Sequence, residues 1–547
     1  MNAAAPHAAL MSGADYRESL RRSRPNLFVD GRRVEDVASD PALQPGINAI
    51  ALTYDYAHKP EYQPLMTAVE HSSGKRVNRF THINRSAGDL LNRLEAVRLV
   101  CQETGCAQRY LTQDALNAIA QVSARIDDAH GQPTGRGEHS ARFLEYLHRV
   151  QDQDLTLGIA MTDAKGDRSR RPHQQANPDS YVHIVERNAL RNGVRGIVIS
   201  GTKAIVTAAP YVHELLVMPC RNLGREDADF AVCCAVPLDA PGLTIVARPA
   251  GRPGEKLEHG DALFSRKYGQ STGVCLFDRV FVPWEHVFYA GEWEHSGHAT
   301  YSYATHHRQT CIGARAGFGD LLIGAGALMC EANGFDPAEE GHLRDQMVEL
   351  ITITESFFAC GVAASVYAQP DHDVFMPDPV FGNIGKLLLA TRIYDMHRIA
   401  HDVSGGLVVT LPGPDEDHNP ETAARLSDVL RANPDVPYEK RIEVARFIED
   451  LSAGYQGGWY SLISLHGGGS PAAMRQEIYR NYPVGSKVEL VERLLERGIA
   501  ATATGGASAR AITRNKQPGR CCDAGCTAPG QAVMVDLKGP PGGRTKT

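Results

Sequence analysis

The sequence predicts an α+β protein in which a helical N-terminal section precedes a central β-domain and a C-terminal helical bundle. Short β-branched runs broken by Gly and Pro begin near Asp179 and end at Pro283, which is typical of strands and turns. On either side, apolar residues recur at helical spacing. The sequence has no GxGxxG motif between a strand and a helix, so a Rossmann domain is not expected.

Composition excludes several classes of protein. The 547 residues are 43% apolar and 22% charged, which is ordinary for globular proteins of roughly two to four domains. A formal net charge of −7 argues against a polybasic nucleic-acid binder. We read no signal peptide and no apolar run long enough to span a bilayer, so we expect a cytoplasmic protein.

The N-terminal helical domain is predicted over residues 14–150. Ser86 begins a capping-box pattern, and apolar residues follow it at helical spacing as far as Cys101. Because Cys101 continues this apolar stripe, it is expected to be a core thiol.

The β-domain is predicted over residues 151–287 and the C-terminal bundle over residues 288–505. The predicted strands are YVHIVE, GIVISGTKAIVTAA, ELLVMP, FAVCCAVPL, LTIVARP and GVCLFDRVFVP. The bundle's main predicted helices cover residues 343–368, 381–403, 438–454 and 486–499. Residues 506–547 are expected to be disordered, because they contain too little apolar surface to offset chain ordering.

Several segments contain residues suited to chemistry or ligand binding. Thr305–Arg315 carries two His, two Arg and a Cys; unpaired charge is costly in a core, so this is the strongest candidate site, expected at the start of a helix. Met161–Arg168 could bind a planar heterocycle, although a solvated surface turn is the simpler interpretation. The segments 456–459 and 466–471 either approach a ligand closely or form helix C-caps.

Cysteine usage gives no sign of a disulfide scaffold. Twelve Cys in this length are too dilute for one. Cys521, Cys522 and Cys526 lack the His or second Cys pair of a zinc site, so no metal is expected there.

Six segments, in this order, resemble one known superfamily over roughly residues 14–502. They are MTDAKGDR, SGTKAIVTAAPYVHELLVMP, FDRVFVPWE, THHRQT, GGLVVTLP and LHGGGSP. The chain is similar to the 4-hydroxyphenylacetate 3-hydroxylase and 4-hydroxybutyryl-CoA dehydratase superfamily, and more so to the dehydratase branch. The resemblance implies an acyl-CoA-dehydrogenase-like fold, FAD between the β-domain and the bundle, and a homotetramer.

The resemblance also implies which residues surround FAD. These are Met161, Thr162, Asp163, Arg168, Thr207, Gln456, Gly457, Gly458 and Trp459.

The dehydratase branch binds an iron–sulfur cluster through C-x3-C and H-x6-C motifs, which this chain matches only in half. The corresponding positions are Cys106, Tyr110, His307 and Ala314, so two of the four ligands are absent. An alternative ligand set is Cys101, Cys106, His307 and Cys311. However, Cys101 and Cys106 would point about 140° apart on a helix. We therefore expect no metal.

Other positions depart from both branches. The His and Tyr that the phenol hydroxylases use toward the phenol fall on Ile159 and near Gln113, and two acidic residues of the dehydratase branch fall on Thr272 and Ile463. The resemblance therefore does not identify 4-hydroxyphenylacetate as the substrate.

We expect an FAD-dependent oxidoreductase, a monooxygenase that receives reduced flavin from a reductase and acts on a small or carrier-bound substrate. The alternatives are a redox-neutral acyl-CoA dehydratase/isomerase and a non-catalytic flavin-binding protein. The expected catalytic residues are His307, Arg109, Tyr110, Arg315 and Cys311. His307 would exchange a proton with the substrate, and Arg315 would hold an anionic group.

Overall fold

The computed structural model describes residues 10–132, 137–251 and 263–503, and helices dominate the N-terminal and C-terminal parts of this described chain. The helices are α1 (Gly13–Arg22), α2 (Gln44–Asp55), α3 (Gln63–Met66), α4 (Ala87–Thr104), α5 (Tyr110–Ala129), α6 (Glu138–Asp152), α7 (Ser296–Ala332), α8 (Gly341–Val366), α9 (Pro379–Val403), α10 (Leu407–Thr410), α11 (Ala423–Leu430), α12 (Tyr438–Ser452), α13 (Tyr455–His466), α14 (Pro471–Asn481) and α15 (Val484–Ala503). The predicted disordered segment, residues 506–547, lies outside the described residues.

The described strands form two larger sheets and two small hairpins. They are β1 (Asn26–Val29), β2 (Arg32–Arg33), β3 (Thr67–Val69), β4 (Arg76–Asn78), β5 (Leu157–Ala160), β6 (His183–Arg191), β7 (Val194–Thr207), β8 (Glu214–Val217), β9 (Val232–Pro237), β10 (Leu243–Ala247), β11 (Thr272–Pro283), β12 (Val287–Ala290), β13 (Gln369–Asp371) and β14 (Val374–Met376). One sheet has the order β2-β1-β10-β11-β7-β6, and the other has the order β12-β9-β8-β5.

The four-stranded sheet is a middle layer that is buried on both faces. Along β9, Cys234 and Val236 pack into the core shared with the six-stranded sheet, whereas Cys233 and Ala235 pack into the helical core. This division follows from the strand period of two, which points successive side chains to opposite faces. A strand buried on both faces needs a continuous apolar run, and β5, with the sequence LGIA, supplies one.

The N-terminal section is not wholly helical. β1 pairs in parallel with β10, with Leu27 opposite Ile245, and β2 pairs with β1 at the edge of the same sheet. The prediction of an all-helical section missed these strands, because β1 acquires its hydrogen-bonding partner from a strand more than 200 residues away, a pairing that no local pattern reports.

Helix α7 lies at the centre of the helical layer and packs against α4, α5, α8 and α9. Two glycines allow α4 and α7 to approach with their backbones in contact. A Cβ atom on Gly313 would lie 2.3 Å from the carbonyl oxygen of Leu94, and one on Gly317 would lie 2.4 Å from that of Arg98. Both distances are too short for any side chain.

Most of the predicted elements are confirmed. Ser86 caps α4 by accepting a hydrogen bond from the Asp89 backbone N–H at 3.1 Å. The six predicted strands correspond to β6–β11, and the four predicted helices correspond to α8, α9, α12 and α15.

Two helices, Trp293–Ala332 and Gly341–Val366, are long and apolar enough by length and composition to cross a membrane. In their most apolar windows, 67% and 44% of residues are buried inside the protein. Core helices of bundles meet the same criterion, so the observation is weak evidence for a membrane span.

The Gly313 contact predicts a loss of stability on adding one methyl group. Gly313→Ala should lower the free energy of unfolding by about 1–3 kcal/mol, because an overpacked core must shift its backbone. The matched control is Gly324→Ala on the same helix, where a Cβ atom meets nothing within 4 Å; it should be neutral or stabilising, by up to about 1 kcal/mol. Thermal unfolding of the three proteins measures the difference, and equal melting temperatures would disprove the close contact.

Candidate functional site

His307 lies at the centre of the candidate site and stacks on two tyrosine rings. Its imidazole stacks on Tyr110 of α5 at 5.8 Å with an interplanar angle of 12°, and on Tyr303 of α7 at 5.6 Å and 7°. The two rings fix the plane of the imidazole. The structure therefore brings together the predicted residues His307 and Tyr110.

A buried carboxylate sets the orientation of this imidazole. His307 Nδ1 donates to Asp114 Oδ2 at 3.3 Å, and an ionised carboxylate can only accept. The Nε2 atom is thus at the opposite edge of the ring, beside Gly468. A Cβ atom on Gly468 would lie 2.8 Å from His307 Cδ2 and 3.4 Å from Nε2, so glycine is required there.

Asp114 is itself held by a buried hydrogen-bond network. Its Oδ1 accepts from the Thr310 hydroxyl at 2.8 Å and from the Arg93 guanidinium at 3.2 Å. Arg93 also donates to Gln309 Oε1 at 2.6 Å. The carboxylate is therefore charge-paired by Arg93 while it positions the imidazole.

The pKa of His307 is lowered. Burial is the main cause, Asp114 opposes it, and the positive charges of Lys386 and Arg315 add to it. The imidazole is thus neutral near pH 7, with an unprotonated Nε2 that can accept a proton.

Two buried cations lie beyond His307 and share one partner, Ser464. Arg315 Nε donates to the Ser464 hydroxyl at 3.0 Å, and Lys386 Nζ donates to the Ser464 carbonyl at 2.5 Å. The Arg315 guanidinium also lies 4.5 Å from the centre of the Tyr460 ring. Burial lowers the pKa of Lys386 to about 7. Arg315 and Arg308 lower this pKa further, whereas Cys311 raises it.

Cys311 is next to these cations on α7. Its thiol donates to the Arg308 carbonyl at 3.3 Å. Burial raises the pKa of Cys311, and the charges of Lys386 and Arg315 oppose this rise. Cys311 is therefore a neutral thiol in the same electrostatic environment as Arg315.

The prediction that Arg109 belongs to the His307 site is wrong. Its guanidinium pairs with Asp154 at 2.5 Å and lies 3.7 Å from the centre of the Tyr54 ring. Arg109 is the N-cap of α5 and Tyr110 is the first residue of the helix. Successive side chains diverge by about 100° on a helix, so Tyr110 reaches His307 while Arg109 points to a different partner.

The predicted position of His307 at a helix start is also wrong. α7 begins at Ser296, three turns earlier, so Thr305–Arg315 lies inside a helix and is buried. Burial of this charged segment is possible because its side chains have partners: Arg308, for example, donates to Gly468 O at 2.8 Å and to Asn383 Oδ1 at 2.9 Å.

Cys106, at a position where the resemblance implies a ligand, and Cys101, of the alternative ligand set, both have protein partners. Cys106 Sγ lies 3.6 Å from Gly269 O, and Cys101 Sγ lies 3.8 Å from the Tyr460 hydroxyl. Burial raises the pKa of Cys106 to about 12 and that of Cys101 still further above its usual range. Among the described residues, no group of three or more His, Cys, Asp or Glu side chains is arranged to hold a metal ion.

The predicted flavin segment Met161–Arg168 divides into a clamped part and an exposed part. Asp163 is buried and pairs with Lys203 at 2.7 Å, and Thr162 O accepts from the Ala204 N–H at 2.7 Å. Lys203 also donates to Met161 O at 2.9 Å. The surface-turn interpretation is therefore wrong for Asp163, whereas Arg168 is exposed.

The second flavin segment contains a buried amide without a partner. Gln456 is 1% exposed, and among the described residues neither its Oε1 nor its Nε2 has a hydrogen-bond partner of normal geometry, with the Cys106 thiol as a polar neighbour. Such groups are costly to leave unmet, so this amide fits a bound ligand with donor and acceptor atoms. Gly458 next to it faces open space.

The remaining flavin positions adjoin these two segments. Gln456–Trp459 lies in the first turn of α13 and is therefore not a helix C-cap. The C-cap interpretation holds for segment 466–471, because Gly467 is the C-cap of α13. Gly457 leaves no room for a Cβ atom, which would lie 2.3 Å from Leu451 O. Arg248, after β10, lies 5.9 Å from the Trp459 ring centre and so joins the β-domain to α13. Thr207 ends β7 opposite Thr272.

Sequence reasoning missed Asp114 and Lys386. A signal for Lys386 was present, because it precedes Leu389, Ala390 and Ile393 at helical spacing and so lies on the apolar stripe of α9. A charged residue at such a position indicates a buried polar contact. Asp114 stands one turn after Tyr110 in α5, most of which is buried.

A surface groove of about 440 Å³ lies between α8 and α9 and is distinct from this site. The residues that line it, which include Asp345, Ile353 and Arg392, are not among the predicted site residues.

Comparisons with known proteins agree with the resemblance seen in the sequence. The 4-hydroxybutyryl-CoA dehydratase/vinylacetyl-CoA-Δ-isomerase of Clostridium aminobutyricum is 33% identical over 497 residues, which are 89% of this chain and 99% of the relative. The oxygenase component of 4-hydroxyphenylacetate 3-monooxygenase from Thermus thermophilus is 27% identical, over 89% of this chain and 98% of the relative.

Solved structures are similar over the same length. An oxygen-tolerant archaeal 4-hydroxybutyryl-CoA dehydratase from N. maritimus has a TM-score of 0.83 and 34% identity, covering 89% of this chain and 95% of its own. The oxygenase component of 4-hydroxyphenylacetate 3-monooxygenase complexed with FAD has a TM-score of 0.77 and 25% identity, covering 90% and 99%. The family models of the 4-hydroxyphenylacetate 3-hydroxylase N-terminal and C-terminal parts match residues 12–289 and 296–496, and the chain therefore belongs to the 4-hydroxyphenylacetate 3-hydroxylase family.

Proposed function

We propose that this chain is an FAD-dependent monooxygenase that uses reduced flavin on a small or carrier-bound substrate. The observation that carries the proposal is the environment of His307. Tyr110 stacks on its ring and Asp114 orients it. Tyr110 and Ala314 occupy the two positions where the resemblance to the dehydratase branch implies cysteine ligands. In this environment His307 acts as a proton-transfer group.

FAD is the proposed cofactor, because a solved relative is complexed with it and because the buried Gln456 amide has no hydrogen-bond partner of normal geometry among the described residues. FAD supplies the redox chemistry when it is bound. Gln456, Gly458 and Trp459 would hold it from α13, and Met161, Thr162 and Thr207 from the β-domain. An acyl-CoA-dehydrogenase-like arrangement, a homotetramer, a cytoplasmic location and a partner flavin reductase belong to the same proposal.

The residues around His307 have separate roles. His307 Nε2 accepts a proton from a substrate hydroxyl or amine, and Asp114 stabilises the imidazolium that results. Tyr110 and Tyr303 stack on the ring and hold its plane. Arg315 holds the negative charge that develops on the substrate.

A second candidate is a redox-neutral acyl-CoA dehydratase/isomerase. The 33% and 34% identities to dehydratases favour it, as does the retention of Cys106 and His307 at ligand positions. Its chemistry requires an iron–sulfur cluster, for which half of the expected ligands are missing.

An optical spectrum of protein purified without oxygen distinguishes the two candidates. A flavin spectrum alone, with no iron or sulfide in the preparation, is the result expected for the monooxygenase. Broad brown absorbance with iron and sulfide would reject it in favour of the dehydratase. A colourless protein that does not take up added FAD would reject both.

Replacing His307 should impair the reaction while leaving the cofactor bound. His307→Ala is expected to lower turnover by about 10²–10⁴, the usual contribution of general acid–base catalysis, with FAD content unchanged. Turnover is measured on the best substrate from a panel of phenols with reduced flavin supplied. His342→Ala, at an exposed position of α8, is the control and should keep full activity. A His307→Ala enzyme within a few-fold of the parent would remove His307 from the mechanism.

The pH dependence of turnover tests whether His307 acts as a base. The pKa of His307 is lowered, so the neutral base is present above that pKa, and turnover should fall as the pH drops through it, below the ordinary histidine value near 6.5. Asp114→Asn should move this acidic limb, because Asp114 favours the charged imidazole and its loss lowers the pKa further. An unchanged limb in the variant would show that Asp114 does not act on His307.

The unpartnered amide of Gln456 predicts opposite effects on cofactor binding and on stability. Gln456→Leu should weaken FAD binding about tenfold, the equivalent of roughly one hydrogen bond. The FAD-free variant should be as stable as the parent or more stable, because a buried amide without a partner is removed. Equilibrium binding of FAD and thermal unfolding measure both effects, with the exposed Gln476→Leu as control. Unchanged FAD affinity would place the cofactor elsewhere.

A further inference from the structure

Lys386 and Arg315 form a concentration of positive charge that the mechanism above does not fully use. Lys386 is 1% exposed and Arg315 is 5% exposed. Among residues 10–132, 137–251 and 263–503, no carboxylate forms an ion pair with either side chain. The titratable groups that act on Lys386 are Cys311, Arg315 and Arg308, and Lys386 in turn acts on His307.

This arrangement is unfavourable unless an anion completes it. A buried cation loses its hydration and is stabilised by a hydrogen-bonded counter-charge. Without an anion, burial lowers the pKa of Lys386 to about 7, and an anion beside it would favour its charged form. Asp114, the buried carboxylate that acts on His307, is already paired with Arg93 and hydrogen-bonded to His307 and Thr310. The described residues therefore supply Lys386 and Arg315 near His307 and no carboxylate free to pair with them.

The geometry directs both cations to one place. Ser464 accepts from Arg315 through its hydroxyl and from Lys386 through its carbonyl, so the two charged groups meet at one residue of α13. An ammonium group has three donors and a guanidinium has five, and these hydrogen bonds use one of each. Donors remain for an oxygen that lies between them.

We propose that Lys386 and Arg315 together bind an anionic oxygen of the substrate, a carboxylate or a phenolate, beside His307. The inference rests on the proposed function for placing the substrate at His307. It adds Lys386 as a binding residue and negative charge as a property of the substrate.

Binding measurements without turnover test this proposal. The carboxylate probe is phenylacetate, compared with its uncharged amide, phenylacetamide. The phenolate probe is 4-nitrophenol, whose ionised form is yellow. Calorimetry on the wild-type protein should show phenylacetate binding at least tenfold more tightly than the amide, or bound 4-nitrophenol should be ionised at a pH where free 4-nitrophenol is largely neutral. The probe that gives the expected result shows whether the bound anion is a carboxylate or a phenolate.

The test variant is Lys386→Met, which keeps the length of the side chain and removes its charge. It should reduce anion binding at least tenfold and change binding of phenylacetamide less than twofold. Lys440→Met, on the partly exposed side of α12, is the matched control and should behave as wild type. Lys386→Gln repeats the measurement if the Met variant does not fold.

Three outcomes would overturn the inference. The first is equal anion binding by wild type and Lys386→Met, and the second is failure of the wild type to bind either anionic probe. The third is a loss of FAD affinity in the variant with anion binding unchanged, which would mean that the Lys386 charge serves the cofactor. The assay is independent of oxygenation. A protein that shows Lys386-dependent anion binding but no monooxygenase activity would contradict the proposed function alone.

Discussion

The buried carboxylate of Asp114 is the interaction on which the polar interior of this protein depends. It joins Arg93 of α4, Thr310 and His307 of α7, and its own helix α5. A buried carboxylate requires such partners, because its desolvation is otherwise uncompensated. Its hydrogen bonds hold three helices in one register and leave His307 with one nitrogen occupied and one available.

Close packing makes this network possible. The backbone contacts at Gly313 and Gly317 bring α7 against α4, so that Arg93 reaches Asp114 and Gln309 without bridging groups. Further along α7, Arg315 meets Ser464 and Tyr460 of α13. Helix α7 thus has one face whose charges are compensated around Asp114 and a neighbouring face where Arg315 has no carboxylate partner among the described residues.

The two faces explain how one family scaffold can support different chemistry. Relatives include a dehydratase/isomerase and phenol monooxygenases, and this chain retains the positions of His307 and Cys106 while replacing two neighbours by Tyr110 and Ala314. Tyr110 provides an aromatic ring at a position where the resemblance to the dehydratase branch implies a thiolate ligand. In our proposal, this exchange converts the histidine from a ligand to a base.

The layer order of the chain could be predicted from its sequence, because local patterns carry that information. The β-branched runs that became β6–β11 and the cap at Ser86 depend on side-chain periodicity and on hydrogen bonds between near neighbours. Membership of the family was also evident from the residues alone, and the residue types of Thr305–Arg315 were enough to name it as the candidate site. The addition of β1 to the sheet was not, because its partner strand is distant in sequence.

The site required the tertiary structure for the same reason. Nothing local shows that Tyr110 faces His307 while Arg109 faces Asp154, because a rotation of one residue along α5 would exchange them. Lys386 and Ser464, on different helices, meet Arg315 only after α9 and α13 pack against α7. The sequence by itself determined which residues carry charge and which segments are helix or strand; only packing decided which charges are compensated, because compensation depends on distances between elements that lie far apart in the chain.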